Sequence, residues 1–256
     1  SQGTVDVLGY APERVERPLD ALAGFAAANP RHPYNYLDAD AVRAGVEYLR
    51  DLVGPDLLVG DVDVNLQLPT AVGAVRPTAL ASPSMIEGAC RDGARFVIVG
   101  LRQLKDFHPE LVASNLARTD LPGGGRLQAR HVILDHPARP GESDSSGLTY
   151  ARSFDDPGFL RGFAAKLRSV VQDGETVGLP AVLGLTAHDA WRTIAAEIGH
   201  PVFEVPLPPP GIPGMRLNRA LIDAAKGAGV RFVNGSKAVA HRDDNGRLAA
   251  VSIASA

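Results

Sequence analysis

The sequence predicts an α/β fold: a mostly parallel sheet with helices on both faces, followed by a C-terminal antiparallel hairpin or meander. Three observations carry this. From residue 93 to 228, short apolar runs alternate with amphipathic stretches, the order that successive βαβ units require. The runs are continuous, as in Phe96-Val97-Ile98-Val99, which is the pattern of strands buried on both faces. Asp244-Asn245-Gly246 then separates two strand-like segments with the Asn-Gly pair of a tight hairpin.

Three portions follow in order: an N-terminal helix and β-hairpin portion (1–92), a parallel-sheet region (93–228) and a β-meander (229–256). After a short apolar run at Val5, Val7 and Leu8, a short helix is expected over 19–28. Val42, Val46, Leu49 and Val53 recur at helical spacing behind Asp38, and Gly54-Pro55 stop the helix. Val62, Val64, Leu66 and Leu68 alternate with polar residues, predicting a half-buried strand. A second strand is expected over 72–81, where Pro77 confines it to an edge or a bulge. Strand and helix then alternate: 95–101 and 109–118, 130–135 and 157–171, 177–184 and 187–198, 202–205 and 214–228. The last strands are expected at 230–233, 237–242 and 247–253, while 123–125 and 140–147 have loop composition.

Composition narrows the function. The chain has 256 residues, 45% hydrophobic and 21% charged, as globular proteins do. A net charge of -3 with no basic run argues against a nucleic-acid partner, which would need Lys and Arg gathered on one face. Cys90 is the only cysteine, which rules out an internal disulfide and fits a reducing, cytoplasmic compartment. No stretch approaches the roughly 20 apolar residues of a membrane span, so membrane contact is expected only through partners. The opening Ser1-Gln2-Gly3, without Met, is read as the start of a piece of a longer protein. GxGxxG, Walker A, GxSxG and HExxH patterns do not occur, and His and carboxylates do not cluster. Accordingly, no cofactor-binding residue and no metal ligand is expected in this chain.

Residues 221–253, LIDAAKGAGVRFVNGSKAVAHRDDNGRLAAVSI, resemble the return segment of two-domain flavoproteins of the glutathione-reductase and fumarate-reductase type. Five further motifs occur in order: HPY (32–34), GAVRPTALASPS (73–84), RFVIVGLRQLKDFHPELVASNLAR (95–118), LPAVLGLTAHDAW (179–191) and LPPPGIPGMRL (207–217). Together they are similar to the B subunits of anaerobic glycerol-3-phosphate dehydrogenases, in their middle, substrate-side portion. The resemblance implies oxidation of sn-glycerol 3-phosphate to dihydroxyacetone phosphate, with electrons passed to quinone. It implies FAD or FMN in the full-length protein and none held by this chain alone, because the family's Gly-rich flavin segments have no counterpart here. The partners implied are a phosphorylated polyol and other dehydrogenase subunits, one of them membrane-associated, which would place the protein at the inner face of the membrane. Residues 229–256 would return toward the flavin domain. Two other readings stand beside this one: a non-catalytic subunit-docking domain, and a free-standing small-ligand-binding α/β protein.

Arg216 is the first candidate for substrate binding. Pro213 suits the first turn of a helix, so Arg216 lies near a positive helix end, where a nearby anion relieves the repulsion. The alternative is an exposed arginine, or one paired with a local acid such as Asp223. Arg76, in an apolar region, requires a partner, either a structural carboxylate or substrate. His32 is the candidate general base, weighed against an ordinary solvated loop histidine. His188 follows a strand at its ligand-binding end, although residues 186–189 also read as a helix cap. Asp106 and Phe107 read as a helix cap and a packing residue, and Pro208, Pro209 and Pro210 as a stiff connection.

Overall fold

The computed structural model describes residues 2–255, in two units, 1–220 and 221–256. The first unit is built on four parallel strands, β5 (Arg95–Leu101), β6 (Gln128–Leu134), β7 (Thr176–Pro180) and β8 (Val202–Val205), in the order β6-β5-β7-β8. In register, Phe96 lies between Ala129 of β6 and Thr176 of β7, and Val177 of β7 beside Val202 of β8. The crossovers are α4 (Pro109–Arg118), then α5 (Gly147–Phe154) with α6 (Pro157–Arg168), then α7 (Ala190–Ile198). Right-handed crossovers in this strand order place α4 on one face and α6 with α7 on the other. The packing agrees, with α4 against β5 and β6, and α6 against α7. Val97, Ile98 and Val99 are fully buried, as their continuous run predicts.

Local chemistry sets the helix ends. Asp156 caps α6, its Oδ1 accepting from the Phe159 N–H (2.7 Å), with Pro157 in the first turn. Gly199 closes α7 at φ 74°, where a side chain would strain the backbone. α5 follows the stretch read as loop: Ser146 caps it and Tyr150, Ala151 and Phe154 bury one face. Gly147 at its first position hides it from periodicity.

The N-terminal portion carries α1 (Pro18–Ala28), α2 (Ala39–Val53) capped by Asp38, and two small antiparallel ladders. β2 (Leu66–Pro69) pairs with β3 (Val75–Thr78), and β1 (Val59–Gly60) with β4 (Leu80–Ala81). A short helix, α3 (Pro83–Ile86), follows β4. The expected strand over 62–68 begins only at Leu66. Before it, Val62 packs with Leu8, Leu19 and Leu22, and the Asn65 side chain donates to the carbonyls of Leu8 (2.9 Å) and Val15 (2.8 Å). These tertiary bonds replace a ladder. Pro77 sits in β3, whose only ladder partner among the described residues is β2, so its missing N–H costs no inner pairing.

α8 (Ile212–Gly227) runs from the first unit into the second. It ends where the Val230 N–H bonds back to the Ala225 carbonyl (2.9 Å) around Gly229 at φ 85°. That reversal is why 230–233 is not the strand expected. The second unit continues as a hairpin of β9 (Ser236–Asp244) and β10 (Arg247–Ser255), turning through Asn245 and Gly246, both at positive φ. Val239, Leu248, Val251 and Ile253 on it are exposed.

Candidate functional site

In a sheet of this order, ligands bind beyond the C-terminal ends of the strands, where the chain direction switches between β5 and β7. Here protein fills that crevice. The segment after β6 returns across it, and the Ser145 N–H donates to the Gln103 carbonyl (2.8 Å). A Cβ on Gly147 would stand 3.3 Å from Val182 and 3.4 Å from Leu207, so α5 starts directly on the ends of β7 and β8. The buried Tyr150 hydroxyl lies 3.1 Å from the His136 carbonyl and 3.3 Å from Gln103 Oε1, while Gln103 Nε2 donates to Asp135 (2.8 Å). Burial, with Glu142 and Asp135 nearby, pushes the Tyr150 phenol up to about 12, so it is a permanent donor.

The ends of β7 and β8 are held by a buried ion pair. Glu204 of β8 and Arg216 of α8 are 1% and 5% exposed, which leaves neither charge to solvent. Arg216 Nη1 donates to Glu204 Oε2 (3.1 Å), Nε to the Gly184 carbonyl (2.9 Å), and Nη2 to the carbonyls of Leu183 (2.9 Å) and Gly184. Glu204 also accepts from Ser84 Oγ (2.6 Å) and the Leu183 N–H (2.9 Å). Arg216 is therefore not a guanidinium presented to a phosphate, and Asp223 is not its partner. It balances a carboxylate embedded in the apolar strand Val202–Val205, where an unpaired charge would be strongly disfavoured.

Arg76 pairs with Asp6 (3.5 Å) and donates to Thr4 Oγ1 (2.9 Å), the structural alternative weighed for it. His32 precedes a 3-10 turn (Pro33–Tyr36), and its Nδ1 accepts from the Tyr34 N–H (3.2 Å). That bond occupies one ring lone pair and leaves the proton on Nε2 as a donor, the wrong arrangement for a general base. Its ring packs against Phe25 and Tyr34. Arg216, Arg76 and His32 thus serve three separate local structures and share no contact among the described residues.

His188 is half-buried after β7. Burial, then Arg216, hold its pKa below the ordinary value against the opposing effect of Asp56, Asp155 and Asp189. The start of α7 is fixed instead by Asp155, whose Oδ1 accepts from the N–H groups of Thr186 and Ala187 (2.9 Å each). Asp106 does not cap α4, whose cap position is His108 without a side-chain bond, and Phe107 is buried in the core.

A cleft of about 780 Å³ opens beside the crevice, between the end of β5 and α4. Leu101, Leu104, Phe107 and Ile133 form apolar walls, and Arg102, Lys105, His108 and Arg118 the basic ones. Within this stretch only Asp106 and Phe107 stand out by sequence. Glu204 carries no motif, and its one signal in the sequence is that of a lone carboxylate in an apolar strand.

A dinucleotide cofactor needs N–H groups converging at a Gly-rich turn. The β5–α4 turn has no glycine between Leu101 and Pro109, and after β7 the Leu183 and Gly184 carbonyls face Arg216. Neither of these two turns therefore forms an FAD pyrophosphate cradle. Among the described residues there is no group of three or more His, Cys, Asp or Glu that would hold a metal, and no helix long and apolar enough to cross a membrane.

Comparison with known proteins places this architecture. The B subunit of a probable anaerobic glycerol-3-phosphate dehydrogenase from Halobacterium salinarum is 32% identical over 252 residues, covering 93% of this chain and 57% of the relative. The B subunit of the anaerobic glycerol-3-phosphate dehydrogenase from Yersinia pestis is 30% identical over 234 residues, 86% of this chain and 54% of the relative. That from Pectobacterium atrosepticum is 27% identical over 246 residues, covering 93% and 58%. The chain thus spans little more than half the length of the curated relatives it matches. No solved structure matches it. The model of the FAD binding domain family matches residues 1–254, and the chain belongs to that family.

Proposed function

We propose that this chain is the substrate-side part of a flavin-dependent glycerol-3-phosphate dehydrogenase subunit. In this reading the assembled enzyme oxidises sn-glycerol 3-phosphate to dihydroxyacetone phosphate and passes electrons to quinone through partner subunits, one of them at the membrane. Residues 1–92 and 93–228 form the substrate side, and 229–256 lead toward a flavin domain. FAD is the cofactor that the family supports for the full-length protein. The observation that carries the reading is the alignment, over 93% of the chain, with a relative named as the B subunit of this dehydrogenase. This chain's residues supply the frame: the Glu204–Arg216 pair anchors the segment after β7, and the Gln103–Asp135–Tyr150 group anchors the ends of β5 and β6. The test is reduction of a quinone analogue by the full-length subunit assembled with its partners. Turnover that depends on sn-glycerol 3-phosphate is expected, and its absence with flavin bound refutes the proposal.

A docking role has one observation in its favour, the exposed Val239, Leu248, Val251 and Ile253 of the hairpin. An assembly that forms normally and turns over when these are made polar would refute it.

A further inference from the structure

The cleft between β5 and α4 has more cations than carboxylates in its lining. Lys105, His108 and Arg118 line it, and among the described residues none forms an ion pair with a carboxylate. Lys105 Nζ donates to the Arg102 carbonyl (2.8 Å). Arg102, the remaining cation, stands 3.7 Å from Asp135. One carboxylate, Glu110, lines the same space. Cations without a carboxylate partner occur elsewhere in the first unit as well, Arg31, Arg91 and Arg161 among them, but those do not line this cleft. Two unmatched cations in one concavity leave a positive potential that a small anion relieves.

The geometry adds extent and polarity. α4 has ten residues, about 15 Å of helix, with Lys105 and His108 before its first turn and Arg118 in its last. Arg118 and Ser114, about one turn apart on α4, both line the cleft. Ser114 offers a hydroxyl. The Asn115 amide nitrogen donates to the Val72 carbonyl (2.7 Å), and Asn115 also lines the cleft. The His108 side chain makes no cap bond, so the first N–H groups of α4 also face this end without a side-chain acceptor.

We propose that this cleft binds a small polyol phosphate, with Lys105 and Arg118 as its charged contacts and Ser114 and Asn115 placed for its hydroxyls. The proposal rests on the dehydrogenase reading above for the identity of the polyol phosphate. The anion chemistry stands on the cleft itself. Glu110 works against the ligand, which sets a sign that simple loss of structure would not reproduce: removing its charge strengthens binding.

The test is calorimetric titration of the 256-residue chain at low salt with sn-glycerol 3-phosphate, inorganic phosphate and glycerol. Each lost charge-assisted contact is expected to weaken sn-glycerol 3-phosphate by about tenfold, so the Lys105→Ala/Arg118→Ala pair loses roughly a hundredfold. Glu110→Gln is expected to tighten it about twofold to fivefold, and glycerol not to bind. Lys105 and Arg118 are exposed, so the variants should melt with the wild type. Equal binding by wild type and double variant, or no binding of either phosphate, overturns the cleft. In the assembled enzyme, turnover of sn-glycerol 3-phosphate with an unchanged KM in the double variant overturns the cleft and leaves the dehydrogenase standing. Conversely, inorganic phosphate that binds through Lys105 and Arg118, with sn-glycerol 3-phosphate binding no more tightly, supports the anion contacts and overturns the polyol-phosphate reading.

Discussion

Replacing Arg216 by methionine keeps most of the side-chain volume and removes a charge that is 5% exposed. What remains is the Glu204 carboxylate in β8, still bonded to Ser84 and the Leu183 N–H but without a cation, and the Leu183 and Gly184 carbonyls without their donor. Breaking a buried pair from one side costs about 3–5 kcal/mol, and the orphaned carbonyls act in the same direction. For a domain of this size, about 4 kcal/mol corresponds to a fall in Tm of roughly 8–16 °C. A double variant, Arg216→Met with Glu204→Leu, removes both charges and should be clearly more stable than Arg216→Met alone. Thermal and urea unfolding followed by circular dichroism would measure all three. An Arg216→Met protein melting within about 2 °C of the wild type would refute the assignment of the pair as the clamp on β7, β8 and α8.

Other outcomes follow from the same packing. Cys90 is buried and its thiol is pushed up to about 12 by burial, so a thiol reagent at pH 8 should modify it only on unfolding; rapid labelling of the folded chain would contradict this. Burial works to raise the Glu175 pKa, but the paired bonds from Arg130 (2.6 Å each) and the Gln172 N–H outweigh it, and the net shift is downward. Its contribution is therefore full above the unfolded value near 4.5 and lost as pH falls through the lower folded value, so Glu175→Gln should destabilise at pH 7 and converge with wild type in acid. A constant gap between their pH-stability curves would count against the pair. A Cβ on Gly178 would stand 2.6 Å from Phe203 and 2.7 Å from Ile98, so Gly178→Ala should cost about 1–3 kcal/mol in urea titration, and a neutral result would mean that this core is looser than those distances require.

The sequence alone was enough for the elements whose causes are local. The continuous apolar run of β5, the Asp38 and Gly54 ends of α2, and the Asn245-Gly246 turn depend on side-chain period, capping and allowed φ, which neighbours in the chain decide. The alternation from Arg95 onward likewise implied parallel pairing, because a strand can reach a parallel neighbour only through a crossover. Tertiary structure decided what depends on partners distant in sequence. Residues 62–65 became a loop because Asn65 bonds to Leu8 and Val15, about fifty residues away. Arg216 looked available for an anion as long as Glu204, twelve residues earlier on another element, was not placed beside it. Lys105 and Arg118 looked like ordinary surface charges until β5 and α4 opened a common cleft between them. A charge has a local identity but no local function: what it does is fixed by the counter-charge and solvent that folding brings to it, and one-dimensional spacing carries neither.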